Sequence, residues 1–218
     1  MRTTSKLLAL ALVATMQSAM AGVVFLDFED VQISEPLTDR YAAQHVSVSG
    51  AAWTATSEAC LYGGVPGEVS FKRPGSCGAL WLAEDPTQPT ANPLRSLTMT
   101  LSDGFDALSF VYSGSRSDIN LSVHAFDASG AEVGLGLGGL TGSGCSSFLF
   151  CNWSNTVSLN LQGGTARTVV FTGLDQTILI DDLSFNTPTT GRLPEPTSAA
   201  LALGAIGALG WSRRRAAR

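Results

Sequence analysis

Two stretches of this chain place apolar side chains at every second position. In "SLTMTL", Leu97, Met99 and Leu101 share one face. In "INLSVHAFD", Ile119, Leu121, Val123 and Ala125 lie opposite Asn120, Ser122 and His124. A period of two belongs to a strand buried on one face only. Related short runs recur along the chain: "VVFLDFE", "HVSVSG", "AWTATS", "ALWLA", "ALSFVYSG", "TVSLNL", "TARTVVFTG" and "TILIDDLSF". Gly, Ser, Asn, Asp or Pro separates them, and no stretch between Gly22 and Gly191 carries a helical stripe. Composition agrees: 14% charged residues and 23 glycines favour strands and turns over helices. Many short strands at close spacing predict an all-β domain over residues 22–186, an antiparallel β-sandwich of the jelly-roll kind. Residues 57–78 and 134–155 read as long glycine-bearing loops at one end of it, where binding is commonly built.

The two ends follow other rules. Arg2 and Lys6 precede an apolar run from Leu7 to Thr15, and Ala19-Met20-Ala21 follows. That order predicts a signal peptide over residues 1–21, with Gly22 as the mature start. At the other end, residues 187–193 read as a polar linker. Pro194-Glu195-Pro196 then interrupts any regular element, since proline lacks an amide donor and fixes φ. Thr197–Trp211 is fifteen residues without a charge. As a helix it measures about 22 Å, short of a hydrocarbon core of about 30 Å. Arg213, Arg214 and Arg215 follow, cations that hold their side in the cytoplasm and can snorkel.

The tail resembles the PEP-CTERM sorting signal of Gram-negative bacteria: Pro194-Glu195-Pro196, a transmembrane-like helix, then the arginine cluster. The resemblance covers residues 194–218. It implies export through the Sec translocon, transient anchoring in the inner membrane, and processing by an exosortase at the Pro-Glu-Pro motif. It also implies delivery to the cell surface or to an exopolysaccharide and biofilm matrix. A second, shorter resemblance joins "LDFED" and "ILIDDLSF" to the first and last strands of MAM and carbohydrate-binding-module jelly rolls. The "PLTDRYAAQHVSVSG" stretch looks like the same region of PEP-CTERM proteins. This likeness implies paired terminal strands with a structural calcium near them.

Between Gly22 and Gly191 six bases face seventeen acids, a net charge near −11. Such a surface disfavours nucleic acid and anionic lipid and suits calcium. Asp27 and Glu29, on or just after the first strand, and Asp181 and Asp182 in the last could converge if those strands pair. Calcium takes six to eight oxygen ligands and often several carboxylates. Solvated strand acids and a catalytic carboxylate pair are the other readings of the same four residues. On alternation, Leu26, Phe28 and Ile180 face inward when Asp27, Glu29 and Asp181 face out.

Cys60, Cys77, Cys145 and Cys151 predict two disulfides in an oxidising compartment. Of the three pairings, sequence proximity favours Cys60–Cys77 and Cys145–Cys151. No C-x₂-C pair supports zinc. G-x-S-x-G, H-E-x-x-H and P-loop motifs are absent, and His45 and His124 read as strand histidines. Sugar rings stack on exposed aromatics while loop amides read hydroxyls. Of Trp53, Tyr62, Trp81, Tyr112 and Trp153, Trp81 reads as core. Tyr62 and Trp153, with Asn152, lie in the cysteine loops and are the candidate ligand residues. The expectation is a non-catalytic exported protein associated with extracellular polysaccharide. A glycan-active hydrolase or lyase on a jelly roll is the alternative, and a ligand-free matrix filler a third reading.

Overall fold

The computed structural model describes residues 22–57, 70–71, 76–88, 91–115, 121–137, 149–150, 153, 155–161 and 164–188. The expected signal peptide, the Pro-Glu-Pro tail and its helix lie outside these residues, as do Cys60, Tyr62, Cys145, Cys151 and Asn152. Among the described residues no helix is long and apolar enough to cross a membrane.

Apart from a 3₁₀ turn at Ala42–Gln44, the described elements are all strands, and most of them form two antiparallel sheets. In order the strands are β1 (Gly22–Leu26), β2 (Val46–Gly50), β3 (Ala52–Thr56), β4 (Ser70–Phe71), β5 (Gly78–Leu82), β6 (Leu94–Phe105) and β7 (Ala107–Gly114). They continue with β8 (Ser122–Phe126), β9 (Glu132–Leu137), β10 (Leu149–Phe150), β11 (Asn155–Asn160), β12 (Ala166–Leu174) and β13 (Ile178–Thr187). The larger sheet runs β11-β7-β13-β5-β3, with β1 also on β13; the smaller runs β2-β6-β12-β8-β9. From β6 to β8 and from β11 to β13 each strand crosses to the opposite sheet, so hydrogen-bonded neighbours are distant in sequence. At the β6–β7 crossing only Asp106 separates the strands, and Gly104 just before it has φ +74. That is a left-handed conformation which glycine adopts without a Cβ penalty.

The alternation seen in the sequence is the burial seen in the structure. Leu97, Met99 and Leu101 of β6 and Val123 and Ala125 of β8 are all buried in one core. Phe110 of β7 meets Phe171 of β12 edge-on, centroids 5.3 Å apart, and Phe105 of β6 meets Phe185 of β13 at 5.2 Å. These contacts join the two sheets into a sandwich, and burying each ring contributes about 1.5–3 kcal/mol. Leu26, Phe28 and Ile180 face this core as expected.

β13 changes phase within itself. Ile178 and Ile180 face the core, then Leu183 and Phe185 do, a step of three in place of two. The register against β7 shifts between Asp181 and Ser184, and Asp182 has φ +50. A β-bulge of this kind lets one strand change partners along its length. Leu179–Ile180 pair with β5, while Leu183–Thr187 pair with β1.

The cysteine loops do not simply cap one end of the sandwich. β4 and β10, one from each loop region, pair in parallel. Phe150 of β10 is buried with Ala55, Ala79, Trp81, Ala83 and Leu179, and Trp53 and Trp153 pack against that group. This second core lies on the outer face of the larger sheet, where β3, β5 and β13 would otherwise expose apolar side chains. Trp81 is therefore core, but of this second cluster.

The β1–β2 connection is held by Tyr41, which is 6% exposed, its ring edge-on to Phe28. Its hydroxyl donates to Asp30 at 2.9 Å, and Arg40 bridges Asp30 and Glu35. Burial, then the bond to Asp30, pushes the phenol well above its ordinary range. A raised folded pKa means stability that is complete below the unfolded pKa, near 10, and is lost as pH rises beyond it. Tyr41→Phe is expected to cost about 1 kcal/mol at neutral pH, the net worth of one hydrogen bond. It should also flatten the loss of Tm between about pH 9 and 11. Melting curves across that range check this, and parallel slopes for the two proteins would contradict it.

Candidate functional site

The terminal strands pair from Gly22↔Thr187 to Leu26↔Leu183, which brings the four candidate calcium carboxylates to one corner. Protein donors occupy three of them. Glu29 accepts the Cys77 amide on both oxygens, at 2.8 and 3.1 Å. Asp27 accepts the Glu29 amide at 3.3 Å. Asp181 is 1% exposed and accepts the Ser76 hydroxyl at 2.9 Å and the Asp182 amide at 2.7 Å. The acids thus pin β1 and β13 to the segment ahead of β5. Asp181 points outward as alternation predicts, yet it is buried and hydrogen-bonded to Ser76, not solvated. Among the described residues no group of three or more His, Cys, Asp or Glu side chains is arranged to hold a metal ion. Cys77 is disulfide-bonded, and its partner lies outside the described residues.

Of the candidate ligand residues only Trp153 is described. It is half-buried against the second core and is not a free stacking surface. Tyr112 is fully buried between the sheets, and Trp53 donates its indole N–H to the Glu84 carbonyl at 3.0 Å. His45 precedes β2, and is not within it; φ is +65 and Nδ1 lies 3.1 Å from the Ser102 hydroxyl.

Sequence reasoning passed over two constellations. The first is on the outer face of the smaller sheet. His124 Nδ1 lies 2.8 Å from Glu132 Oε1, and Nε2 lies 2.8 Å from Ser122 Oγ. In the tautomer protonated at Nδ1, the order is hydroxyl, base and carboxylate, as in acyl-transfer triads. Ser122 and His124 share a face because they are two apart on β8, and Glu132 arrives on β9. However, β8 is paired along both edges, to β12 and β9. Its amides therefore belong to the ladders and supply no oxyanion hole.

The second is a trough of about 250 Å³ on the outer face of the larger sheet, beyond the area that the second core covers. Ser158, Ser109 and Ser184 lie directly across from one another on β11, β7 and β13. In the next row Asn160 and Asn186 flank Ala107, whose small side chain leaves the hollow between them. Asn186 Nδ2 donates to Asp106 Oδ1 at 2.5 Å, which fixes its amide. The three serine hydroxyls take part in none of the described hydrogen bonds. A signal for this row was present: Leu108-Ser109-Phe110 and Leu183-Ser184-Phe185 repeat one triplet on strands that become neighbours.

No family model matches the chain, and no curated protein matches it. Among solved structures it is similar to the K2 cleaved adhesin domain of Lys-gingipain, at 15% identity and TM-score 0.48, over 76% of this chain and 99% of that one. It is similar to the enzymatically active domain of bacteriophage CBA120 tailspike protein 4, at 13% identity and TM-score 0.37, over 68% of this chain and 20% of that one. It is also similar to TmCBM61 in complex with beta-1,4-galactotriose, at 14% identity and TM-score 0.32, over 69% of this chain and 97% of that one. Similarity of this degree transfers neither ligand nor activity to the chain.

Proposed function

We propose that the chain is an exported, non-catalytic protein of the Gram-negative cell surface or extracellular matrix, and that it binds matrix polysaccharide. In this reading the Sec translocon exports it, its tail anchors it in the inner membrane, and an exosortase releases it. The observation that carries polysaccharide binding is the open trough lined by hydroxyls and amides on the larger sheet. Such groups both donate and accept hydrogen bonds, as sugar hydroxyls do. The acidic domain surface is consistent with an extracellular ligand that is not nucleic acid. A structural calcium at the β1–β13 corner, held among Asp27, Glu29, Asp181 and Asp182, belongs to the same proposal, although it would have to displace the protein donors these carboxylates already accept from. It would raise Tm over that in EDTA at matched ionic strength; equal Tm values remove it.

The test of the main reading is co-sedimentation of the full chain, in mild detergent, with exopolysaccharide of a PEP-CTERM-bearing bacterium. Retention without release of reducing ends is expected, and no retention would overturn the reading. The order Ser122–His124–Glu132 is the one observation behind a second reading, a hydrolase, and the paired amides of β8 count against it. It predicts labelling by a fluorophosphonate that Ser122→Ala abolishes.

A further inference from the structure

We infer that the serine row and Phe25 together form the binding surface for a neutral polysaccharide, its chain lying across the strands. This rests on the reading above and gives it a ligand class and a place. β1 extends the trough at its open side. Phe25 lies directly across from Ser184, so one row reads Phe25, Ser184, Ser109, Ser158 over four strands. Three inter-strand spacings make this strip about 14 Å long, more than a single pyranose ring. Val24 and Leu26 face the core, so Phe25 faces outward on the same side as the serines, and it is 49% exposed.

An exposed aromatic ring at one end and a row of hydroxyls and amides along the rest match the two faces of a sugar. The ring takes the apolar C–H face by stacking. Ser109, Ser158 and Ser184 each offer a donor and acceptors, and Asn160 adds an amide at the far side. The sheet amides are already paired in the ladders, so these side chains must do the reading. Among the described residues no charged one lines the trough, and the domain carries a net charge near −11. Nothing there neutralises a uronate or sulfate, so an anionic chain would meet repulsion without compensation. Position therefore favours this open half of the sheet over the cysteine-loop half, where Trp153 already packs against protein.

Affinity electrophoresis of the full chain in mild detergent tests this, in gels cast with β-glucan, galactan or xylan and with alginate as the anionic counter-probe. Retardation is expected in at least one neutral gel and not in alginate. Phe25→Ala, and separately Ser109→Val with Ser184→Val, should each weaken that retardation at least tenfold with Tm unchanged. Both changes are at outward positions where valine and alanine fit a strand, and Asn160→Ala, at the rim, should give a smaller loss. Retardation that none of these variants alters would overturn this inference while leaving polysaccharide binding intact. Retardation in alginate that the serine variants abolish would overturn the neutral ligand. If Phe25→Ala instead converts a dimer to a monomer without affecting retardation, β1 is a self-association edge and the inference also fails. No retardation in any gel, together with no retention on exopolysaccharide, removes the functional reading itself.

Discussion

Gly78→Ala is expected to destabilise the domain by about 3 kcal/mol or more, the upper end of what overpacking costs. A methyl group at this position would stand 1.9 Å from the Phe28 carbonyl oxygen and 2.8 Å from its carbon. The obstacle is backbone, so no rotamer change relieves it. Neither side can withdraw. Phe28 is fully buried against Tyr41 with φ +57, and its carbonyl accepts the Val31 amide at 3.1 Å. Gly78 pairs with Thr56 on β3, and the preceding Cys77 amide is held by Glu29. Displacement would therefore loosen the first strand and the start of β5 together. For a domain of this size such a loss lowers Tm by about 6–12 °C. Gly130→Ala is the control. Gly130, unlike Gly78, has a left-handed φ, +84, and nothing lies within 4 Å of the added carbon. It should cost only the conformational penalty of about 1–2 kcal/mol. Equal losses in the two variants would show that close approach at Gly78 is not what matters.

Much of the sandwich is legible because burial on one face writes itself into every second residue. Leu97, Met99 and Leu101 announce β6, and Val123 and Ala125 announce β8, without any long-range information. Even the bulge in β13 is written in "ILIDDLSF", where the apolar spacing steps from Ile180 to Leu183. What local pattern cannot say is which outer face another segment will cover. Trp153 reads as a loop aromatic open to ligand, yet the outward Trp53, Trp81 and Leu179 attract the loops onto the sheet and Trp153 with them. For Asp181 the local pattern leaves calcium ligand, solvated strand acid and catalytic carboxylate all open, and it is buried and hydrogen-bonded to Ser76. The trough escaped notice because it needs three non-consecutive strands. Ser109, Ser158 and Ser184 are each unremarkable outward residues until the crossings place them in one row. The triad-like group differs: Ser122 and His124 are visibly two apart, but Glu132 joins them only through the β8–β9 hairpin.

Glu195→Ala or Pro196→Ala is expected to leave the protein in the inner membrane with its full tail. On the proposed reading, Thr197–Trp211 as a helix would measure about 22 Å against a core of about 30 Å, so the bilayer would have to thin locally or flanking side chains snorkel. Arg213, Arg214 and Arg215 stand at the right end to do so. Drawing them outward through the bilayer would cost about 2.5–3.5 kcal/mol each, or roughly 8–10 kcal/mol together. Every 1.4 kcal/mol is a factor of ten, so spontaneous escape falls by more than 10⁵. On this reading release would require cutting the chain on the outer side of the span, at Pro194-Glu195-Pro196. Proline disfavours helix at its own position and at the preceding residue, and an extended segment is a form a peptidase can engage. Loss of the motif should consequently abolish release, and not merely slow it. Membrane fractionation with intact-mass analysis of the C-terminus reads this directly. A wild-type released protein that still carries Arg218, or a Glu195→Ala variant released with the same shortened end as wild type, would overturn the assignment of the tail.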